Sequence, residues 1–318
     1  MTAEQRYEGG QRASSTPPSL SGASGAPLRP KATADNARRG TRAATGLALW
    51  LWFGLAVVFL FAPIVTAIVY SFNEGVAGKQ TSAFTGFSWD WYAQAVTDPT
   101  IAQATQTSLV VAFWAAVIAV VIGTVLGFEL ARNPNRSVRR LLGALTYILL
   151  IVPDTVLGVS LLLFYTETRI PLSEFTLIAA LTPPSISVVA FVIRARVLTL
   201  EAAVEDAASD LGASRFATLR LVVLPQLGPA IVAAALIAYT FAFDNVVIAN
   251  FLSTPTVNVL TVYLYGTLQY GATPAVYATA TIIFVATIVV LALAATLLRT
   301  TLRFRGRRTY ARTAHSRG

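Results

Sequence analysis

The sequence predicts an all-α polytopic membrane protein with six transmembrane helices and both termini in the cytoplasm. Of its 318 residues, 55% are hydrophobic and only 12% are charged, and the mean hydropathy is +0.63. A soluble domain of this length does not need so many apolar residues. The apolar residues also lie in uncharged runs, several of which exceed the roughly 20 residues that cross a bilayer as a helix. Most of the basic residues lie in the two tails and in alternate connections between these runs.

The first two helices follow from long uncharged runs. No charged residue lies between Arg42 and Glu74, and this run predicts the first membrane helix. A second uncharged run, 99–128, predicts the second helix. The polar segment 73–100 between them is expected to be an external loop. A tight turn is expected at 132–136, where two asparagines flank a proline.

The other four helices are interrupted by prolines and polar residues. Helix three is predicted to begin after Arg140 and to contain Pro153 and Asp154. Helix four, 175–193, contains Pro183 and Pro184, which should break or kink it because proline removes a backbone donor. Helix five is placed at 226–249, an uncharged external segment at 252–273 and helix six at 274–298.

The distribution of basic residues sets the orientation. Of the 24 lysines and arginines, 22 lie in the N-terminal tail, in 131–140, in 194–220 or from Arg299 onward. By the positive-inside rule these segments are cytoplasmic. The same distribution explains the net charge of +9 as a membrane-topology signal, so no nucleic-acid partner is expected.

The predicted organisation has four parts. Residues 1–41 form a disordered basic tail, since they are rich in Ser, Pro, Gly and Arg and lack apolar periodicity. Residues 42–100 hold the first helix and the external loop, 101–300 form the membrane core with a polar segment at 196–225, and 301–318 form a second basic tail.

Several chemistries are excluded by composition. Cysteine is absent, so the chain has no disulfide and no thiolate metal site, and no metal site is expected. Its two lysines, Lys31 and Lys79, lie in no phosphate-binding GxxxxGK[ST] loop. We therefore expect no ATP site, no cofactor and no catalytic residue in this chain.

Residues 196–225, here called the coupling segment, are too polar to cross the membrane. Ala207 and Ala208 favour a helix whose small side chains allow another protein to approach closely. Gly212 suits the left-handed position that ends a helix, and Ser214 suits the N-cap of the next helix. Pro225 then falls in the first turn of a membrane helix. The pattern predicts a helix–turn–helix projecting from the membrane surface; an ordinary amphipathic loop is the alternative.

Two acidic residues lie within predicted membrane helices. In straight helices Asp154 and Asp244 would lie about 21 and 27 Å from the cytoplasmic ends. A lone carboxylate there costs about 2.5–3.5 kcal/mol on insertion scales, which favours a functional role such as a path for a cation. Alternatively, Asp154 caps a helix restarted after Pro153, and Asp244 marks the outer boundary. Tyr239 and Phe243, near Asp244, are candidates for cation–π contact or for packing.

Two sets of residues resemble known families. The coupling segment resembles the EAA signature of ABC-importer permeases, although Asp206 stands where that family usually has Glu. The matching residues are Asp206, Ala207, Ala208, Gly212, Val222, Leu224 and Pro225. The runs 151–154 and 239–247, with Phe251 and Pro255, are similar to the C-type permeases of spermidine/putrescine importers. Those permeases often have a second acid where this chain has Asn245.

The resemblance implies a type I ABC-importer permease with the MetI-like fold, in the plasma membrane of a prokaryote. It implies a second permease subunit, two ATP-binding subunits that use the ATP, an extracytoplasmic binding protein and a lipid environment. The signature residues would couple to the ATPase, and the substrate pathway would include Asp154, Asp244, Asn245, Tyr239 and Phe243. A different small solute, or a secondary transporter that uses Asp154 and Asp244, remain alternatives.

Overall fold

The computed structural model describes residues 32–81 and 83–289, together with Ala292 and Thr296. The described residues are helical, and their β-pairing is limited to two isolated bridges, Asn73–Phe87 and Val76–Lys79. The helices are α1 Ala32–Tyr70, α2 Asp90–Thr97, α3 Pro99–Arg132, α4 Arg136–Ile151, α5 Asp154–Glu167, α6 Glu174–Leu198, α7 Ala202–Asp210, α8 Arg215–Thr218, α9 Leu224–Asp244, α10 Val246–Leu252, α11 Leu260–Gln269 and α12 Pro274–Val289, and a π-helical turn, Leu219–Val223, joins α8 to α9.

Four described helices are long and apolar enough to cross a membrane. They are Leu49–Tyr70, Pro99–Arg132, Glu174–Leu198 and Phe216–Asp244. A fifth span results if α4 and α5, a bent pair, are counted as one. The shorter apolar helix α12 lies where the sixth span is predicted, and most residues from 290 onward lie outside the described part of the chain.

Contacts divide the chain into two units, which meet in sequence at Phe61 and Ala62. The first unit contains the N-terminal part of α1, and the second contains all later helices. Residues 1–41 were predicted to be a disordered tail. The described part of this stretch, from Ala32 onward, is instead the beginning of α1. Residues 32–41 contain no proline and are rich in alanine and arginine, both good helix formers. The predicted tail 301–318 lies outside the described residues.

The second unit is built around α3, α6 and α9. A row of alanines and glycines on α3, including Ala115, Ala119 and Gly123, is buried. A Cβ added at Gly123 would lie 2.7 Å from the Val189 Cβ, and one at Gly127 would lie 2.6 Å from a backbone carbonyl oxygen of α6. Small residues let two membrane helices approach this closely, which increases van der Waals contact where the hydrophobic effect gives no help.

Of the predicted break or kink at Pro183 and Pro184, the break does not occur, because α6 continues through both prolines. Hydroxyl groups bond to the carbonyl oxygens of the preceding turn on both sides of the prolines: Thr182 to Ile178 at 2.6 Å and Ser185 to Leu181 at 2.8 Å. Within a membrane protein, neighbouring helices and such hydroxyls can compensate for the lost amide donors. The packing of α6 against α3 therefore overrides the local preference of proline.

Two predicted helices are broken instead. Helix three separates into α4 and α5, which are bent by 96°. Pro153 follows Val152 at the break, and a residue before proline is driven away from the helical conformation. Helix five ends at Asp244, and Asn245 caps a new helix, α10, by accepting a hydrogen bond from the Ile248 amide at 2.9 Å. Asp154 therefore lies directly after a bend and not inside one straight helix.

The connections are more ordered than the sequence indicated. The predicted turn at 132–136 is confirmed, since α3 ends at Arg132 and the Asn135 side chain caps α4. The predicted external loop contains α2. The predicted external segment 252–273 contains α11, whose Leu260 amide donates a 2.8 Å hydrogen bond to the Ser108 hydroxyl of α3.

The contact between α3 and α6 gives a testable prediction. Gly123→Ala and Gly127→Ala should each destabilise the protein by roughly 1–3 kcal/mol, because the added methyl group overpacks the interface. The measurement is thermal unfolding of the purified protein in detergent. Gly266→Ala on α11 is the control, since nothing lies within 4 Å of the added atom. Equal melting temperatures for all three variants would contradict this packing.

Candidate functional site

The coupling segment folds as a helix, a tight turn and a second helix. Gly212 follows α7 and has a φ of +83°, the left-handed conformation that was predicted. Its amide donates to the Ser209 carbonyl at 2.9 Å, and the Ala213 amide donates to the Ala208 carbonyl at 3.0 Å. These two bonds form a Schellman motif, which ends a helix cleanly. The Ser214 hydroxyl accepts from the Ala217 amide at 3.3 Å and so caps α8, as predicted.

The second helix of the segment is continuous with the membrane helix. Residues Phe216–Asp244 form one span in which the π-helical turn contains Val222, and α9 begins at Leu224 and Pro225. The second helix of the coupling segment and α9 are therefore one continuous helical element.

The outer surface of the coupling segment is partly apolar. Asp206 and Ala207 are exposed, and Ala208 is half-buried. Leu211 is 89% exposed and Phe216 is 71% exposed. Large exposed apolar side chains beside small ones provide a surface that another protein can cover.

Arg132 fixes the coupling segment to α3. Its Nη2 donates to the Glu205 carboxylate at 3.0 Å and to the Leu200 carbonyl at 3.1 Å. Sequence reasoning used Arg132 only as a topology signal and did not single out Glu205. Their pairing links positions 73 residues apart, so no local pattern reveals it.

A cavity of about 630 Å³ lies at the two helix breaks. This volume is in the range of small-molecule sites. Its wall is mainly apolar and contains two carboxylates and no basic residue. The lining residues are Asp154, Leu236, Ile237, Thr240, Phe241, Asp244, Asn245, Val246 and Val247.

The polar residues of the cavity come from both breaks. Asp154 is the first residue of α5, as in the restarted-helix alternative, but its carboxylate makes no capping bond. Instead it accepts a 2.9 Å hydrogen bond from the Asn245 side-chain amide. Asp244, the last residue of α9, is exposed at the cavity. Three of the five residues assigned to the pathway thus lie together.

The structure places Tyr239 and Phe243 elsewhere. Their rings stack with centroids 6.1 Å apart and pack against the buried core, and neither residue lines the cavity. Thr240 and Phe241 line it instead. The helical period explains the difference, because Ile237, Phe241 and Asp244 share a face of α9 that Tyr239 and Phe243 do not. That spacing was readable in the sequence.

The arrangement is suited to a cation. Two carboxylates in an apolar wall would attract ammonium groups by charge, and Phe241 in the same wall is a residue type that can add a cation–π interaction. The described residues contain no group of three or more His, Cys, Asp or Glu side chains that would hold a metal ion.

Comparison with curated proteins identifies relatives along most of the chain. The spermidine/putrescine transport system permease protein PotC of Haemophilus influenzae is 32% identical over 241 residues, which are 76% of this chain and 92% of that protein. PotC of Escherichia coli K12 is 30% identical over a segment that makes up 73% of this chain and 86% of that protein. The putrescine transport system permease protein PotI of E. coli K12 is 30% identical, with 72% and 83% covered.

Solved structures with lower identity share the fold. A bacterial ABC transporter involved in the import of the polysaccharide alginate matches with a TM-score of 0.64 at 13% identity, over 85% of this chain and 99% of that chain. The MetNI methionine ABC transporter, in inward-facing conformations, matches with a TM-score of 0.53 at 20% identity, over 65% and 95%. The prediction of an all-α, MetI-like permease fold is thus confirmed.

The family model for "Binding-protein-dependent transport system inner membrane component" matches residues 119–304, which include the coupling segment and the lining residues of the cavity. Proteins of this family are non-catalytic, multi-pass subunits, and ATP hydrolysis belongs to their partner ATPases. The chain belongs to this family and is a permease subunit of an ABC importer.

Proposed function

We propose that this permease imports polyamines and forms half of their path across the membrane. The observation that carries the proposal is the pair of carboxylates, Asp154 and Asp244, in one apolar cavity without a basic residue. Protonated polyamines are flexible chains of methylene groups with two or more ammonium groups. The carboxylates would attract the ammonium groups while Leu236 and Ile237 contact the methylene groups. The names of the relatives, which describe spermidine and putrescine transport, agree with this substrate class.

Transport requires that the cavity bind weakly. Charge pairs that remain partly solvated contribute at most about 1 kcal/mol each, so two such pairs allow release. Asp244 is exposed and Asp154 is half-buried, which is consistent with weak pairing. The cavity in this chain would be completed by a second, similar permease subunit.

The coupling segment would transmit the work of ATP. In this proposal its turn docks on one of two ATP-binding subunits, through Asp206, Ala207, Ala208 and the exposed residues near Gly212. ATP binding closes the ATPase pair, moves the segments of both permeases together and turns the cavity outward, where a binding protein delivers substrate. Hydrolysis resets the transporter.

The proposal includes the topology and the setting. Six membrane helices place both termini in the cytoplasm of a prokaryotic cell, with the basic segments facing inward. The chain itself holds no cofactor, and its partners are the permease, ATPase and binding-protein subunits and the lipid of the plasma membrane. No nucleic acid is involved.

The cavity gives the first prediction for this function. Asp244→Asn should lower uptake of labelled putrescine and spermidine by up to about fivefold, since losing one partly solvated charge pair is worth at most about 1 kcal/mol. The measurement is uptake by cells carrying the complete transporter, with expression checked by immunoblot. Glu167→Gln at the exposed end of α5 makes the same chemical change outside the cavity and should have no effect. Import of another solute but no polyamine by the wild type would refute the substrate.

The coupling segment gives a second prediction. Gly212→Val should strain the left-handed turn by roughly 1–2 kcal/mol and uncouple transport from ATP hydrolysis. Gly228→Val is the matched control, because neither glycine has an atom within 4 Å of an added Cβ and only Gly212 has a positive φ. Uptake and ATP hydrolysis are measured in proteoliposomes. Normal uptake per ATP in Gly212→Val would count against coupling through this turn.

A further inference from the structure

Asn245 is the residue at which the two broken helices meet. It is 7% exposed and lies between α9 and α10. Its Oδ1 accepts from the Ile248 amide at 2.9 Å, and its Nδ2 donates to the Asp154 Oδ2 at 2.9 Å. One side chain therefore caps α10 and holds the carboxylate at the start of α5.

Both bonds together require a side chain with an acceptor and a donor. An ionised aspartate at this position would still cap α10, since aspartate is as good an N-cap as asparagine. It would have no hydrogen to donate to Asp154, because an ionised carboxylate only accepts. Two carboxylates at hydrogen-bond distance also resist being ionised together. Asparagine therefore caps α10 while Asp154 keeps its charge.

The neighbouring helix contact supports a fixed geometry. A Cβ added at Gly158 on α5 would lie 2.6 Å from the Phe251 ring and 3.4 Å from the Ile248 Cα, both on α10. Helices α5 and α10 are thus in close contact about one turn beyond Asp154. Asp154 has little freedom to move away from the cavity.

We propose that Asn245 positions the Asp154 carboxylate and determines which amines the permease transports. Because asparagine is uncharged, this half of the cavity contains only two carboxylates. This inference rests on the proposed function. With two carboxylates, the cavity should favour a linear diamine over a triamine. Two ammonium groups pair with Asp154 and Asp244. A third would have to lie against apolar wall such as Val246 and Val247, where an unpaired charge is unfavourable.

The test is a charge series at two positions. Asp154→Asn leaves one carboxylate, and the wild type has two. Asn245→Asp has three, and a bound ammonium group would offset the repulsion that opposes ionisation of the neighbouring carboxylates at 154 and 245. The double variant Asp154→Asn/Asn245→Asp again has two and can form the same hydrogen bond in the opposite direction. Uptake of putrescine, a diamine, and spermidine, a triamine, is measured in proteoliposomes with the complete transporter. The binding protein is identical throughout, so a change in selectivity originates in the permease.

We expect Asn245→Asp to shift the ratio of the two KM values towards spermidine, on the order of fivefold. Asp154→Asn should weaken uptake of both amines. The double variant should return both the ratio and the rate towards the wild type. A merely structural role of Asn245 does not predict the shift of the ratio in Asn245→Asp or its return in the double variant.

Three results would count against the proposal. An unchanged KM ratio in Asn245→Asp would overturn the specificity role. A double variant no better than the poorer single variant would overturn the positioning role. If the wild type imports neither amine, the polyamine substrate is refuted. The positioning role is then judged from thermal unfolding of the same four complexes, which needs no substrate, and recovery of stability in the double variant supports it.

Discussion

The close approach of α3 to α6 is the contact on which the rest of the second unit depends. Gly123 and Gly127 remove the side chains that would keep the two helices apart, and buried alanines continue the same surface along α3. In lipid, packing of this kind replaces the hydrophobic effect as the main source of helix association. Helix α9 then packs against both helices, so the position of the cavity on α9 follows from this contact.

Two polar contacts of α3, one within the helix and one at its C-terminal end, connect this scaffold to other parts of the protein. Ser108 bonds to the start of α11, and Arg132 holds the coupling segment through Glu205 and Leu200. The coupling segment in turn continues into α9 through the π-helical turn. The turn that would dock on an ATPase and the helix that carries Asp244 are therefore one continuous element.

Most of the architecture was predictable because membrane insertion imposes strong rules on sequence. Uncharged runs gave the first two spans, and the Gly212 turn followed from the backbone preferences of glycine. The break considered at Pro183 does not occur in a helix that packs against α3, and the sequence does not show that contact. Pro153 was assigned inside a helix although it lies at a 96° bend.

The cavity was predictable in part. The two acids stood out because carboxylates are rare in apolar segments, and the structure brings them together with Asn245. Tyr239 and Phe243 were chosen for closeness in sequence, whereas the helical period places Thr240 and Phe241 at the cavity. The bonds of Asn245 to Asp154 and of Arg132 to Glu205 join residues 91 and 73 positions apart, and one sequence carries no signal for such pairs.

The central claim is that the Asp244 face of α9 lines a cavity and the opposite face is packed. The chain contains no cysteine, so single cysteines can be introduced without a background. The most direct measurement is labelling of Thr240→Cys, Phe241→Cys, Ala238→Cys and Ala242→Cys by a hydrophilic thiol reagent in the assembled transporter. We expect the reagent to label cysteines at 240 and 241, which line the cavity, and not to reach cysteines at the two buried alanine positions. Labelling at 238 and 242 with protection at 240 and 241 would contradict it.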